Sequence, residues 1–152
     1  MAEKDLPDNV VELRARALRL LARREHARQE LERKLSPHAG SSDELRDLMA
    51  GLEQKNQCSE ERYAEARARQ LSRKYGAARI RQELQAKGVP EELVARYASP
   101  VDELQRARAI LERKYRAPAA TREEKAKRMR FLQSRGFSSA VIFTLLSARG
   151  AR

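Results

Sequence analysis

The stretch LSRKYGAARIRQELQAKGVPEELV, Leu71 to Val94, decides the fold, because the rest of the chain copies it. It reads as the end of one helix, a tight turn at Tyr75-Gly76, a short basic helix, a glycine stop at Gly88 and a new helix start at Pro90. Its front half returns as LERKY (Leu111 to Tyr115). Its back half, QAKGVPEELV (Gln85 to Val94), returns as QSRGFSSAVI (Gln133 to Ile142). A rougher copy lies upstream, where LARRE (Leu21 to Glu25) leads into RQELERKL (Arg28 to Leu35). Recurrence at this period is the mark of stacked helical repeats, each burying its apolar face against its neighbours.

Working outward, the first helix is expected to start at Asp8 or Asn9, with Leu13, Ala17, Leu20 and Leu21 on its apolar side. A break at Glu25-His26 precedes a short helix carrying Leu31 and Leu35, and the turn-forming run SPHAGSS ends it. Ser41 with Glu44 forms a capping box for a third helix. Ser59, followed by Glu60 and Glu61, opens the second triplet, in which Ala64, Ala68, Leu71 and Tyr75 form a narrow apolar stripe. Ala77, Ile80 and Leu84 are the inward positions of the next helix, and Pro90 is expected at the first helical position of the one after it, with Leu93, Val94 and Tyr97 apolar. In the third triplet, Ser99-Pro100 is expected to start a helix with Leu104, Leu111 and Tyr115 inward. A second capping box (Thr121 to Glu124) opens a helix with Met129 and Leu132 inward, and Gly136 stops it. Ser138 caps the last helix.

The expected architecture is all-α: three tandem three-helix repeats, nine short helices in all, in an elongated, solenoid-like arrangement. The expected boundaries are an N-terminal tail (1–8), repeats at 9–57, 58–98 and 99–148, and a C-terminal tail (149–152). Composition agrees. Among 152 residues, 41% are apolar and 36% charged, strand-forming aromatic residues reach only 5% and Trp is absent.

The net charge of +11 points to a polyanionic or acidic partner. Seven basic residues face one acid between Arg67 and Lys87, eight face three between Arg14 and Lys34, and ten face three between Arg106 and Arg130. Each triplet thus concentrates its charge on its first two helices, and stacked triplets could join these into one positive stripe. Tyr75 and Tyr115, each after Arg-Lys, fit core packing at a helix corner better than stacking on bases. Chemistry has little to work with. His26 and His38, read as surface or helix-end residues, are not at ligand spacing with each other or with Cys58, and no metal or phosphate-loop motif is present. No enzyme activity, cofactor or metal is expected. A single cysteine excludes an internal disulfide, the polar N-terminus is unlike a signal peptide, and no apolar run is long enough to span a membrane. A cytoplasmic monomer is the expectation.

The segments LRLLARREHARQELERKL (Leu18 to Leu35), SEERYAEARARQLSRKYGAARIRQELQAKGVPEELV (Ser59 to Val94) and RFLQSRGFSSAVI (Arg130 to Ile142) resemble the RecX family, regulators of the RecA recombinase. The SPHAGSS loop departs from the family's Gly-Phe-like turn. The resemblance implies a protein that lies along the RecA–DNA filament and inhibits its recombinase, ATPase and coprotease activities, affecting DNA repair and the SOS response. It names RecA as the partner of the stripe, with single-stranded or duplex DNA as a further one. The candidate contacts are Arg23, Arg24, Arg28, Arg73, Lys74, Arg79, Arg81, Arg113 and Lys114. The alternative is a direct nucleic-acid binder using Ala77 to Lys87 as the recognition helix of a helix-turn-helix.

Overall fold

A computed structural model describes residues 8–147; the expected C-terminal tail, and the N-terminal one up to Pro7, lie outside them. The described residues form nine α-helices: α1 (Asp8–Arg23), α2 (Arg28–Leu35), α3 (Ser42–Gln54), α4 (Glu60–Leu71), α5 (Ala77–Ala86), α6 (Glu91–Tyr97), α7 (Glu103–Lys114), α8 (Arg122–Ser134) and α9 (Ser139–Ser147). The closest helix packing is within the triplets α1–α3, α4–α6 and α7–α9. Each triplet owns a core, and the three are separate. Leu13, Leu31, Leu35, Met49 and Leu52 fill the first. Tyr63, Ala64, Leu71, Ile80, Leu84 and Val94 fill the second, and Ala107, Ile110, Leu111, Leu132, Phe137, Ile142 and Leu145 the third. Such small cores hold because helices of 7 to 16 residues present one apolar side each.

Helix ends follow the local chemistry. The hydroxyls of Ser41, Ser59 and Thr121 accept from the backbone N–H three residues on, at 3.1 Å each, a bond type that stabilises by about 1 kcal/mol. Glu44 and Glu124 reach back past the N-cap, accepting from the residue before it, Gly40 N–H (2.9 Å) and Ala120 N–H (2.7 Å). Gly88 and Gly136 stop α5 and α8 in the left-handed region, at φ +77° and +86°.

Several expectations need correction. α7 begins at Glu103, not at Ser99-Pro100, because Ser99 Oγ accepts from Val101 N–H and Asp102 sits in the left-handed region at φ +62°. Pro90 is the N-cap of α6 and not its first helical residue. Met129 points to solvent at 39% exposure, and its neighbour Phe131 packs against the third core instead. Tyr75 and Tyr115 lie beyond the ends of α4 and α7, though each still donates its N–H to the carbonyl of Leu71 or Leu111 and packs half-buried on its core. His26 is buried at 2% exposure, whereas His38 is exposed.

The repeats are joined by parts that cross between them. Ala27, just before α2, is buried in the second core, and Cys58, just before α4, is buried in the first. Burial pushes the Cys58 thiol up to about 11, so it stays a neutral, unreactive packing group. At the first joint, Glu60, the first residue of α4, accepts from Arg28 N–H at the start of α2 (2.5 Å). At the second, Glu103, the first residue of α7, accepts from Ala77 N–H at the start of α5 (3.1 Å). The second joint adds backbone pairing: Gly76 N–H donates to Arg135 O (2.7 Å) and Ala78 N–H to Gly136 O (3.3 Å).

Gly76 is required there by contact, not by its dihedral. A Cβ on it would lie 2.5 Å from Gly136 O and 2.8 Å from Phe137 Cα. Gly51, inside α3, meets nothing within 4 Å. Gly76→Ala should therefore lower unfolding free energy by about 1–3 kcal/mol, whereas Gly51→Ala should raise it by about 0.5–1 kcal/mol. Urea denaturation followed by helix circular dichroism checks both, and equal effects of the two would refute this account of the second joint.

Candidate partner-binding surface

Each joint leaves a cleft above it, and equivalent positions of the repeat line both. Arg24 and Arg73 stand three residues before the N-caps of α2 and α5, and Glu25 and Lys74 two before them. Lys87 and Arg135 immediately precede the two glycine stops, and Glu83 and Phe131 precede those stops by five residues. The scaffold is shared. The electrostatics are not.

In the first cleft, of about 400 Å³, two of the three lining cations, Arg24 and Arg67, are paired with carboxylates. Arg24 grips Glu30 through two hydrogen bonds (3.0 and 2.6 Å), and Arg67 pairs with Glu83 at 3.0 Å. The Arg24 hydrogen bonds hold the Glu30 carboxyl down at about 2, against the cost of burial. Behind them, His26 Nε2 lies 3.2 Å from Lys34 Nζ, and its Nδ1 lies 3.1 Å from Arg24 O. An ammonium can only donate, so Nε2 accepts and Nδ1 carries the proton given to the carbonyl. Burial pushes the His26 pKa down, in keeping with this neutral ring. Arg28 is engaged too, by Glu32 (2.9 Å) and by Glu53, and Arg62 pairs with Glu25 at 2.8 Å.

In the second cleft, of about 480 Å³, Arg73, Lys74, Arg113, Lys114 and Arg135 surround Ile110 and Phe131, and no carboxylate lines it. None of these five cations has an ion-pair partner among the described residues. They are held by other means. Arg113 donates to Arg73 O (2.6 Å), and Lys114 Nζ and Arg135 Cζ sit 4.8 and 5.0 Å from the Phe131 ring centre.

The nine candidate residues therefore divide. Arg73, Lys74, Arg113 and Lys114 converge on the second cleft. Arg24 and Arg28 are tied to glutamates. Arg79 lies over the Tyr75 ring at 4.9 Å, and Arg23 and Arg81 are exposed on α1 and α5. Arg135 and Phe131 were not among the candidates. The paired KG and RG stops carried the signal for Arg135, since the residue before each glycine lines a cleft; Phe131, where the repeat places Glu83, had none. Among the described residues no group of three or more His, Cys, Asp or Glu side chains is placed to hold a metal, and no helix is long and apolar enough to cross a membrane.

Known proteins share this organisation. Residues 59–97 match the model of the second three-helix domain of RecX, and residues 101–146 that of the third. "Regulatory protein RecX" of Ralstonia nicotianae is 40% identical over 148 residues, covering 96% of this chain and 93% of that one. The chain belongs to the RecX family. The RecX of Herbaspirillum seropedicae is 42% identical over 135 residues, 88% of each chain. The crystal structure of RecX from Lactobacillus salivarius superposes with a TM-score of 0.80 over 93% of this chain and 97% of that one, at 20% identity, a likeness of fold.

The buried charge beneath the first cleft gives this RecX-family chain a defined acid limb. The Glu30 pKa is depressed from 4.5 to about 2. Its contribution to stability is thus complete above 4.5 and is lost as pH falls through 2. Because Arg24 is half exposed, that contribution is about 1 kcal/mol. Glu30→Gln should be less stable at neutral pH by that amount and should lose less stability between pH 4.5 and 2 than the parent. Urea midpoints across that range measure it, and parallel curves would refute it.

Proposed function

We propose that this chain is a non-enzymatic negative regulator of the RecA recombinase, binding the RecA–DNA filament through its basic surface as a monomer in the cytoplasm. On this reading it inhibits recombinase, ATPase and coprotease activity and so restrains DNA repair and the SOS response. Residues 9–57, 58–98 and 99–148 act as three repeats along the filament. Arg23, Arg24, Arg28, Arg73, Lys74, Arg79, Arg81, Arg113 and Lys114 are the proposed contacts, with Arg73, Lys74, Arg113 and Lys114 at their centre. The observation that carries the reading, beyond family membership, is the carboxylate-free second cleft. Cations already neutralised by a glutamate must give up that partner to bind another, and unpaired ones need not.

A direct helix-turn-helix reading of DNA has less support. Such motifs present the N-terminal residues of the recognition helix to base edges. Here the start of α5 is covered: Ala77 N–H is taken by Glu103, and Gly76 is packed under Gly136. Of the two amides on α5 able to read bases, Gln85 is engaged by Glu91 at 3.1 Å.

The test combines Arg73→Glu, Lys74→Glu and Arg81→Glu, sparing Arg79 because its guanidinium packs over the Tyr75 ring. The parent should inhibit RecA's ATP hydrolysis on single-stranded DNA, less so as salt rises, and bind the filament more tightly than naked DNA. The triple variant should lose inhibition at least about tenfold, equal to ~1.4 kcal/mol, with unchanged helicity. Full inhibition by that variant, or equal affinity for naked DNA, would overturn the proposal.

A further inference from the structure

The second cleft carries more than a share of a charged stripe. The repeat supplies the same pocket twice, and where the first copy has Glu25 and Glu83 in its lining, the second has Lys74 and Phe131. Glu30, which neutralises Arg24 from three residues inside α2, has Arg79 at its equivalent position in α5, directed onto Tyr75. All three acids of the first cleft are thus absent from the second, while Arg24 and Lys87 keep basic counterparts in Arg73 and Arg135.

We infer that the second cleft is a binding site for a condensed phosphate chain, as carried by a nucleoside triphosphate or by inorganic triphosphate. Three properties support this. The cleft is concave and about 480 Å³, within the roughly 300–1,000 Å³ of small-ligand sites. Its five cations share one pocket with no acid, so they match a ligand that concentrates several charges within a few bonds. A single strand of nucleic acid brings one phosphate per nucleotide and would leave most of them unmatched. The cations are also partly positioned in advance: Phe131 holds Lys114 and Arg135, and the carbonyl of Arg73 holds Arg113. Guanidinium groups add the forked geometry that suits phosphate oxygens. The inference does not depend on RecA as partner, although the ligand would occupy four of the proposed filament contacts.

The test is isothermal titration of the full chain in magnesium-free buffer with ATP, AMP, inorganic triphosphate, an oligothymidylate and a polyglutamate peptide. ATP and triphosphate should each bind once per chain, at least about tenfold more tightly than AMP. Similar affinities for the two would place recognition in the phosphates; a clear advantage for ATP would add a base contact to the same site. Arg135→Gln, and separately Arg113→Gln with Lys114→Gln, should weaken ATP binding at least about tenfold. Lys87→Gln, the equivalent change in the first cleft, should leave it unaltered. The inference fails if AMP binds as well as ATP, or if Lys87→Gln and Arg135→Gln weaken binding equally, since diffuse charge would then suffice. It also fails if oligothymidylate or polyglutamate displaces ATP at lower concentration, which would assign the cleft to a strand or an acidic protein segment. A variant that loses helicity is replaced by Phe131→Leu, which removes the ring beneath Lys114 and Arg135 and should also weaken ATP binding.

Discussion

A backbone N–H at the start of a buried helix has no partner within that helix, and this chain supplies one from the next repeat. Glu60 reaches Arg28 N–H and Glu103 reaches Ala77 N–H, each from the first residue of the helix that opens the following triplet. The carboxylate satisfies an orphan donor and places negative charge at the positive end of the helix. The burial this needs has a cost: desolvation pushes the Glu60 pKa up, even though the Arg28 N–H pulls it the other way. The third triplet differs. Its middle helix is capped internally, Thr121 Oγ1 accepting from Glu124 N–H while the Glu124 carboxylate accepts from Ala120 N–H. The start of the middle helix is thus capped from a neighbour twice and internally once, through different backbone groups.

Given that constraint, the clefts follow. Holding the start of α2 against α4, and the start of α5 against α7, brings the residues before each middle helix alongside the glycine stop of the next repeat. Arg24 meets Lys87 in one cleft, and Arg73 meets Arg135 in the other. Equivalent positions before the middle helix and before the glycine stop line both. Their difference in charge comes from side chains, chiefly Glu25 against Lys74 and Glu83 against Phe131. A positive balance spread evenly over the sequence is therefore uneven in space: largely matched at the first joint and unmatched at the second.

Much of this architecture was legible in the sequence, because it is written in local chemistry. Capping boxes at Ser41 and Thr121, left-handed glycines at 88 and 136 and apolar spacing in α3 and α5 each act within a few residues. What escaped depends on partners distant in sequence. Glu60 reads as an ordinary first-turn acid, and nothing nearby shows that it caps a helix 32 residues upstream. His26 looks exposed among charges, yet Lys34 and the Arg24 carbonyl satisfy it below the surface. Asp102 moved the start of α7 because a left-handed residue overrode the Ser-Pro signal. The candidate surface was legible as charge but not as free charge. Counting Arg24 and Arg28 with Arg73 and Lys74 ignores glutamates that only the folded chain brings to them.

The two joints also differ in how they answer to ionic strength. The first is reinforced by a half-exposed ion pair, Arg62 with Glu25, which dissolved ions screen. The second is closed by amide-to-carbonyl bonds at Gly76 and Ala78 and by backbone contact at Gly136, which they do not. Raising salt should therefore cost the first joint the worth of one half-exposed pair, up to about 1 kcal/mol, and leave the second unchanged.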